Sequence, residues 1–574
     1  MEALRLYLAD LRRDVGKKGP WVVTLVALGA ILEGVGILAI LPFVVLITGE
    51  TDSEWGGTAL MAMEAAGVST QLERAFLLSI FFAILLAVRG IVMWKRDVAL
   101  HELGLGYVDR LRSRLFRAIG QADWLTVQRL RRRDIEHAIT TDVARLATGT
   151  NQLIRGSIAA ILAIVQLAII AMLAPLLVLL VFVLVAIALM FTLSLIRKAS
   201  VMGDRLTKSG RRIYGVLGDF LASQKLARLH NSEAEFRTRF DNVVTDVRQH
   251  QMVFFRSQSA ARIWIQCAAG IVVIAALLVG YFLLETPLAV LVVTLAVLAR
   301  LVGPVQTVVQ TAQSISNTLP AYLGIKATLD NLHEHAREAT DQIDSQHHNP
   351  LPASVQLANI TYQHDGQQHP ILHDVTITVE AGTIVALNGP SGSGKTTALD
   401  VVTGLLKPTS GSVIVDGVKL TSEADFAKWR SQISYLPQDP FLFDSSIRDN
   451  LVWRAQAATD DDIWAALAAT QSAELVRSLP DGLDTMVGER GTRLSGGERQ
   501  RICIASALLR KPRFLILDEA TNALDGRLEE QILSNLMQSN DQYSVLLVTH
   551  RAETLRHADS VVTLQELPVA AATE

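Results

Sequence analysis

Cysteine is almost missing from this chain: 574 residues hold two, Cys267 and Cys503, far apart in the sequence. That excludes a disulfide framework and matches no cysteine metal or redox spacing. Excess charge is missing as well. Lys and Arg number 53 against 56 Asp and Glu, a formal net charge of −3, so the overall balance gives no electrostatic reason for a nucleic-acid partner. The amino terminus lacks the short apolar core and small-residue cleavage site of a secretory signal. "MEALRLYLADLRRDVGKKGP" reads instead as an amphipathic, basic lead-in to a membrane segment.

Hydrophobic residues are plentiful. They make up 50% of the chain, the mean hydropathy is +0.32, and they concentrate before about residue 320. Six stretches reach the roughly 20 apolar residues that a bilayer crossing needs: 21–48, 75–95, 154–173, 175–196, 263–284 and 287–310. The third and fourth, and the fifth and sixth, are separated by so little chain that they predict helical hairpins. Basic residues set the orientation. Arg5, Arg12, Arg13, Lys17 and Lys18 precede the first span, whereas the loop 49–74 has Arg74 as its one basic residue. The positive-inside rule then places the N-terminus, the two long loops (about 96–153 and 197–262) and the C-terminal half in the cytoplasm. Both loops read as charged helices that continue the spans outward, with tips near Trp124–Arg132 and Asp219–His230.

Ionisable and amide residues inside the spans are expected to face protein or water. Glu33 with Arg89 or Arg300 forms either a structural ion pair or part of a cavity lining. Gln166 and Gln266 read as interhelical hydrogen-bonding residues, and Pro304 as a kink in the sixth span. The polar segment 333–354 contains His347 and His348 with no carboxylate or cysteine partners nearby, and reads as a linker. The expected division is 1–332 membrane domain, 333–354 linker, 355–566 nucleotide-binding domain and 567–574 tail.

"GPSGSGKTT" (389–397) follows the apolar strand "TIVALN" and opens a helix, the setting this glycine-rich motif requires. Gly389, Gly392 and Gly394, with Ser391, Ser393 and Thr397, form a loop whose backbone N–H groups face phosphate. Lys395 reaches the β- and γ-phosphates, and Thr396 ligates Mg2+. "RFLILDEA" (513–520) reads as a buried strand ending in Asp518, which holds Mg2+ through water, and Glu519, placed to polarise the attacking water. "SVLLVTH" ends a further strand in His550, within reach of the γ-phosphate.

"LSGGE" (494–498) precedes a helix expected over Glu498–Leu509, and "LDEATNALD" follows it. With the glycine-rich loop, this combination resembles an ATP-binding cassette. Gln438 in "YLPQDPFLF" resembles the Q-loop, a catalytic and metal-facing position; "VGERG" (487–491) and "NALD" (522–525) resemble two further cassette loops. With six spans in front, the chain to about residue 565 is similar to an ABC exporter half-transporter. The fold implied is a helical membrane bundle with long cytoplasmic extensions, fused to an α/β P-loop cassette.

The resemblance implies more. Ser495, Gly496 and Gly497 would meet the γ-phosphate of ATP held by a second cassette, so one chain is half a machine that needs a second copy or a sister half-transporter. Lys395, Glu519, His550 and the signature are all present, which fits a homodimer. The loop tips would dock on the cassettes, with Trp124 either an anchor or a membrane-boundary residue. His364 stands where the family usually stacks an aromatic on adenine, with Tyr362 two residues earlier on the same face. Arg133 stands where relatives often have glycine. The expected activity is ATP-driven export of an amphipathic or hydrophobic cargo such as a small peptide, drug or lipid-like molecule, from a bacterial inner membrane. Flipping of a lipid or lipid-linked oligosaccharide is the alternative. Import on the same scaffold and a regulatory, non-transporting role are further readings, the last disfavoured by the intact catalytic set. The absence of a preceding peptidase domain disfavours a leader-cleaving peptide exporter.

Overall fold

Long apolar runs become long helices. The computed structural model describes residues 2–16, 19–38, 70–130, 132–173, 175, 178–179, 182, 209–210, 212–286, 288–337, 351–364, 366–367, 369–538 and 542–565. Most of the expected loop 49–74, nearly all of the span 175–196, His347, His348 and the tail 567–574 lie outside these. Two compact units emerge, Met1–Ala122 with Thr126–His335, and Asp123–Leu125 with Ala336–Glu574.

In the first unit, α1 (Glu2–Val15) is the amphipathic lead-in. It is followed by α2 (Gly19–Leu38), α3 (Gln71–Gln121), α4 (Val143–Leu173), α5 (Glu233–Leu278) and α6 (Leu288–Glu334). Among the described residues, five helices are long and apolar enough to cross a membrane. Thr70 starts α3 with a reciprocal capping box to Glu73, and the helix runs for 51 residues. At 1.5 Å per residue that is about 75 Å, far more than a hydrocarbon core of roughly 30 Å. Such helices continue well beyond a bilayer, as the sequence led us to expect. Arg133 lies in a short helix, Arg132–His137.

Buried aromatics fix α1. The Tyr7 hydroxyl lies 2.7 Å from Thr150 Oγ1, and its ring packs near those of Tyr107 and Tyr322. Arg114 pairs with both Asp10 and Asp14. The approach of α4 to α6 depends on glycine. A Cβ at Gly149 would lie 2.7 Å from Thr318 Cγ2, and one at Gly156 would lie 2.4 Å from Thr311. The Thr311 hydroxyl donates to the Gln152 carbonyl at 3.0 Å. α6 continues through both Pro304 and Pro320. Gln166 is buried, at 2% exposure. Gln266 is exposed, and no interhelical hydrogen bond of its side chain is seen among the described residues.

The second unit has two sheets. An antiparallel sheet has the order β2-β1-β4-β5, made from β1 (Val355–Tyr362), β2 (Leu372–Val379), β4 (Ser410–Val415) and β5 (Val418–Lys419). A parallel sheet has the order β6-β7-β8-β3-β9, from β3 (Ile384–Asn388), β6 (Ile433–Leu436), β7 (Phe514–Asp518), β8 (Ser544–Val548) and β9 (Ser560–Thr563). Every residue of β7 and β8 is buried. Leu515, Leu517, Val545 and Leu547 enter one hydrophobic core. Phe514, Ile516, Leu546 and Val548 enter the other. Alternate side chains of each strand thus point to opposite faces, and both faces are covered, which explains why the runs are continuously apolar. Trp124 and Leu125, which group with this unit, pack half-buried on the second of these cores.

Candidate active site at the sheet edge

Because β6, β7, β8 and β3 are parallel neighbours, their carboxyl ends share one edge, where open α/β sheets carry their ligand sites. Gln438 follows β6, Asp518 ends β7 with Glu519 next, His550 follows β8, and the loop 389–394 follows β3.

Gly389, Gly392 and Gly394 have φ of 153°, 89° and 89°, values a Cβ would oppose. Space agrees with conformation. A Cβ at Gly389 would sit 2.6 Å from the Leu564 carbonyl oxygen, and one at Gly394 would sit 2.7 Å from Leu372 Cδ2. Gly394 caps α7 (Lys395–Val402). Lys395 is 8% exposed, and its ammonium donates to the carbonyls of Gly389 (2.7 Å) and Pro390 (2.8 Å). The Ser393 hydroxyl is buried with no hydrogen-bond partner among the described residues. Ser391 and Thr396 are exposed and Thr397 is half-buried at the start of α7. A helix N-terminus, an ammonium folded over the loop and an unpartnered hydroxyl fit an anionic phosphate.

Glu519 draws together the three catalytic candidates. Gln438 Nε2 donates to its Oε2 at 2.7 Å, and His550 Nε2 stands 3.0 Å from Oε1. Asn522 Nδ2 donates to Oε2 at 2.9 Å. The Glu519 amide donates to the Val548 carbonyl at 3.0 Å, and its φ of 49° places a non-glycine residue in the left-handed region, a strained conformation typical of functional turns. Asp518 accepts from the Tyr435 hydroxyl at 3.0 Å. Burial is the main cause that pushes the Asp518 carboxyl up; Glu519 adds to it, while Tyr435 and Lys395 oppose it. Behind it, burial and then the Asp518 charge raise Asp400 to about 6. The oxygens of Asp518, Thr396 and Gln438 are hard donors of the type that Mg2+ takes.

Tyr362 and His364 are in contact, the hydroxyl 3.0 Å from His364 Nδ1 with the rings edge-on. The signature segment stands apart from these groups: Ser495, Gly496 and Gly497 share no hydrogen bond with the loop 389–397 or with Glu519 among the described residues. Their helix, α8 (Gly496–Leu509), begins two residues before the expected start, because Ser495 caps it reciprocally with Glu498. The glycines also have a partner within the chain. A Cβ at Gly497 would lie 3.1 Å from the Ala523 carbonyl oxygen, and the Ala523 amide donates to Gln500 Oε1 at 3.0 Å. Tyr435, Asn522, Gln500 and Asp400 escaped the sequence reading as site residues. Asn522 and Gln500 at least lay in or beside quoted motifs, whereas nothing local marked Tyr435 or Asp400.

Two family models match the chain: the ABC transporter transmembrane region over residues 35–305 and the ABC transporter domain over 372–522. It is 36% identical over 239 residues to the uncharacterized ABC transporter ATP-binding protein YwjA of Bacillus subtilis, a match covering 42% of this chain and 41% of that one. It is 25% identical over 524 residues to the ATP-dependent lipid A-core flippase of Methylobacillus flagellatus, covering 90% of this chain and 87% of that one. A bacterial Atm1-family ABC exporter solved with ATP bound superimposes with a TM-score of 0.78 at 22% identity, over 96% of this chain and 93% of that one. With a transmembrane region and an ATP-hydrolysing cassette in one polypeptide, the chain is a membrane protein that belongs to the ABC transporters, as a half-transporter.

Proposed function

We propose that this chain is one half of a dimer that uses ATP hydrolysis to export or flip an amphipathic cargo. The observation that carries the reading is the convergence of Gln438, Asn522 and His550 on the Glu519 carboxylate at the edge that also bears the glycine-rich loop. Glu519 takes the proton of the attacking water, Gln438 and His550 fix that carboxylate in place, and Lys395 neutralises the phosphates. Thr396, Gln438 and Asp518 would hold Mg2+, which when bound would supply charge neutralisation on the phosphate oxygens. Ser495, Gly496 and Gly497 serve a nucleotide on a second cassette; their capped helix N-terminus, unbonded to the chain's own loop, supports this. A full catalytic set in one chain favours two identical copies. The basic residues support a cytoplasmic N-terminus and cassette, and the similarity to bacterial transporters supports a bacterial inner membrane. We take 1–332, 333–354, 355–566 and 567–574 as membrane domain, linker, cassette and tail.

Flipping of a lipid is the second reading, favoured by the full-length similarity to a lipid A-core flippase. The test is ATP hydrolysis by the chain purified alone in lipid nanodiscs, followed by transport in sealed vesicles with lipid-linked sugars, small peptides and hydrophobic drugs. Hydrolysis coupled to movement of one class establishes the function. An ATP-binding protein without hydrolysis overturns the self-sufficient dimer.

A further inference from the structure

A cavity of about 1240 Å³ opens among α2, α3, α4 and α6, larger than the roughly 300–1,000 Å³ of ordinary small-ligand clefts. Its walls are amphipathic. Ile154, Ile158 and Leu162 line it beside Gln166 and a mixed charged set that includes Arg155 and Arg300 as well as Glu102 and Asp97, the last paired with Arg96.

Glu33, also in the lining, lies between two guanidiniums, 3.5 Å from Arg89 and 3.8 Å from Arg300. Within this triad one carboxylate therefore serves two cations. Arg300 sits twelve residues into α6, about 18 Å along it and well within a hydrocarbon core. An uncompensated charge is costly at that depth.

The two contacts are also loose. Charge-assisted N–H···O bonds close to roughly 2.7–2.9 Å, and Glu33 makes no such bond among the described residues. Neither Arg300 nor Arg155 donates a hydrogen bond or forms a close ion pair elsewhere among the described residues, while the Arg300 side chain is 46% exposed. Gln166 adds an independent sign. It is 2% exposed, and its Oε1 is buried with no hydrogen-bond partner among the described residues. A buried acceptor without a donor is unfavourable.

The geometry points to a cargo site in this cavity for an anionic amphiphile: a carboxylate or phosphate head on Arg300, with Arg155 adding attraction, a hydrogen-bond donor for Gln166 and an apolar body along α4. Glu33 holds Arg300 in place between cargoes and competes with the incoming anion for it. This assignment rests on the transport reading above and narrows it to one charge class.

The test measures equilibrium binding to the full chain in phosphatidylcholine nanodiscs without nucleotide, by scintillation proximity, with empty nanodiscs correcting for partition. The probes are tritiated dodecyl phosphate, N-dodecanoyl glycine and dodecyltrimethylammonium. The anions should bind about tenfold or more tightly than the ammonium compound. Arg300→Gln should weaken anion binding about tenfold, while Glu33→Gln, which removes the competitor, should strengthen it severalfold. Preference for the phosphate supports a lipid headgroup, and preference for the carboxylate supports an acidic peptide-like cargo. Equal binding of the ammonium probe overturns the assignment. So does loss of binding in both variants, since a merely structural triad would weaken with either change. Charge-selective binding without ATP-driven transport would sink the transport reading alone, and transport without charge selectivity would sink this inference alone.

Discussion

The imidazole of His550 stands 3.0 Å from the carboxylate of Glu519, His550 lying two residues past the end of β8 and Glu519 directly after β7. With Gln438 and Asn522 on the other oxygen, the carboxylate is held by three side chains. Glu519→Gln keeps the size and loses the proton acceptor. ATP hydrolysis, followed as phosphate release, should fall by about 100-fold or more, with nucleotide binding retained. Turnover near the wild-type rate would assign the base elsewhere.

Asp400 contributes a pH-dependent strain. Its carboxyl is raised from an ordinary 3.8 to about 6 by burial and by Asp518. A carboxyl raised in the folded state stabilises fully below its unfolded value, and that contribution is lost as pH rises through the folded one. Asp400→Asn, which never ionises, should therefore raise the melting temperature most above pH 6, with the gain shrinking as pH falls toward 4. Thermal unfolding across that range checks it, and a gain independent of pH would refute the electrostatic origin.

Gly156→Ala should lower the melting temperature of the membrane domain, since the new methyl would meet Thr311 at 2.4 Å. Overpacking of this kind costs about 1–3 kcal/mol. Adding Thr311→Ala should recover part of the loss. Unchanged unfolding in detergent would mean that the two helices part easily.

His364, which the sequence leads us to expect at the adenine, has less ring area than a larger aromatic and is tied to Tyr362 by the 3.0 Å contact. Stacking a base on an aromatic is worth about 1–3 kcal/mol. His364→Tyr should tighten ATP binding severalfold in a fluorescent-nucleotide titration, and His364→Ala should weaken it. Identical affinities would show that adenine rests elsewhere.

Local chemistry was the part legible from sequence. The glycine-rich loop, the Asp518–Glu519 pair and His550 each carry their setting with them, a strand before and a turn after, so their convergence followed from parallel strand order. The Tyr435–Asp518 hydrogen bond spans 83 residues, and nothing local in "ISYLPQ" signals it. Asp400 looked like an ordinary helix residue because its environment comes from β6 and β7. The start of α8 was misplaced because Gly496 and Gly497 are weak helix formers, and the Ser495–Glu498 cap outweighs that weakness. Glu33 could be paired with either arginine on paper; the fold pairs it with both.

The glycines of α4 have a mechanical meaning. Seven residues separate Gly149 from Gly156, and seven separate Thr311 from Thr318, so the two close approaches form teeth that mesh at a single setting. A slide of one turn would bring Gln152 or Ala160 into the notch that Gly156 leaves for Thr311. The pair is thus a locked splint, and among the described elements that line the cavity beside it, α2 and α3 are the ones left free of that lock.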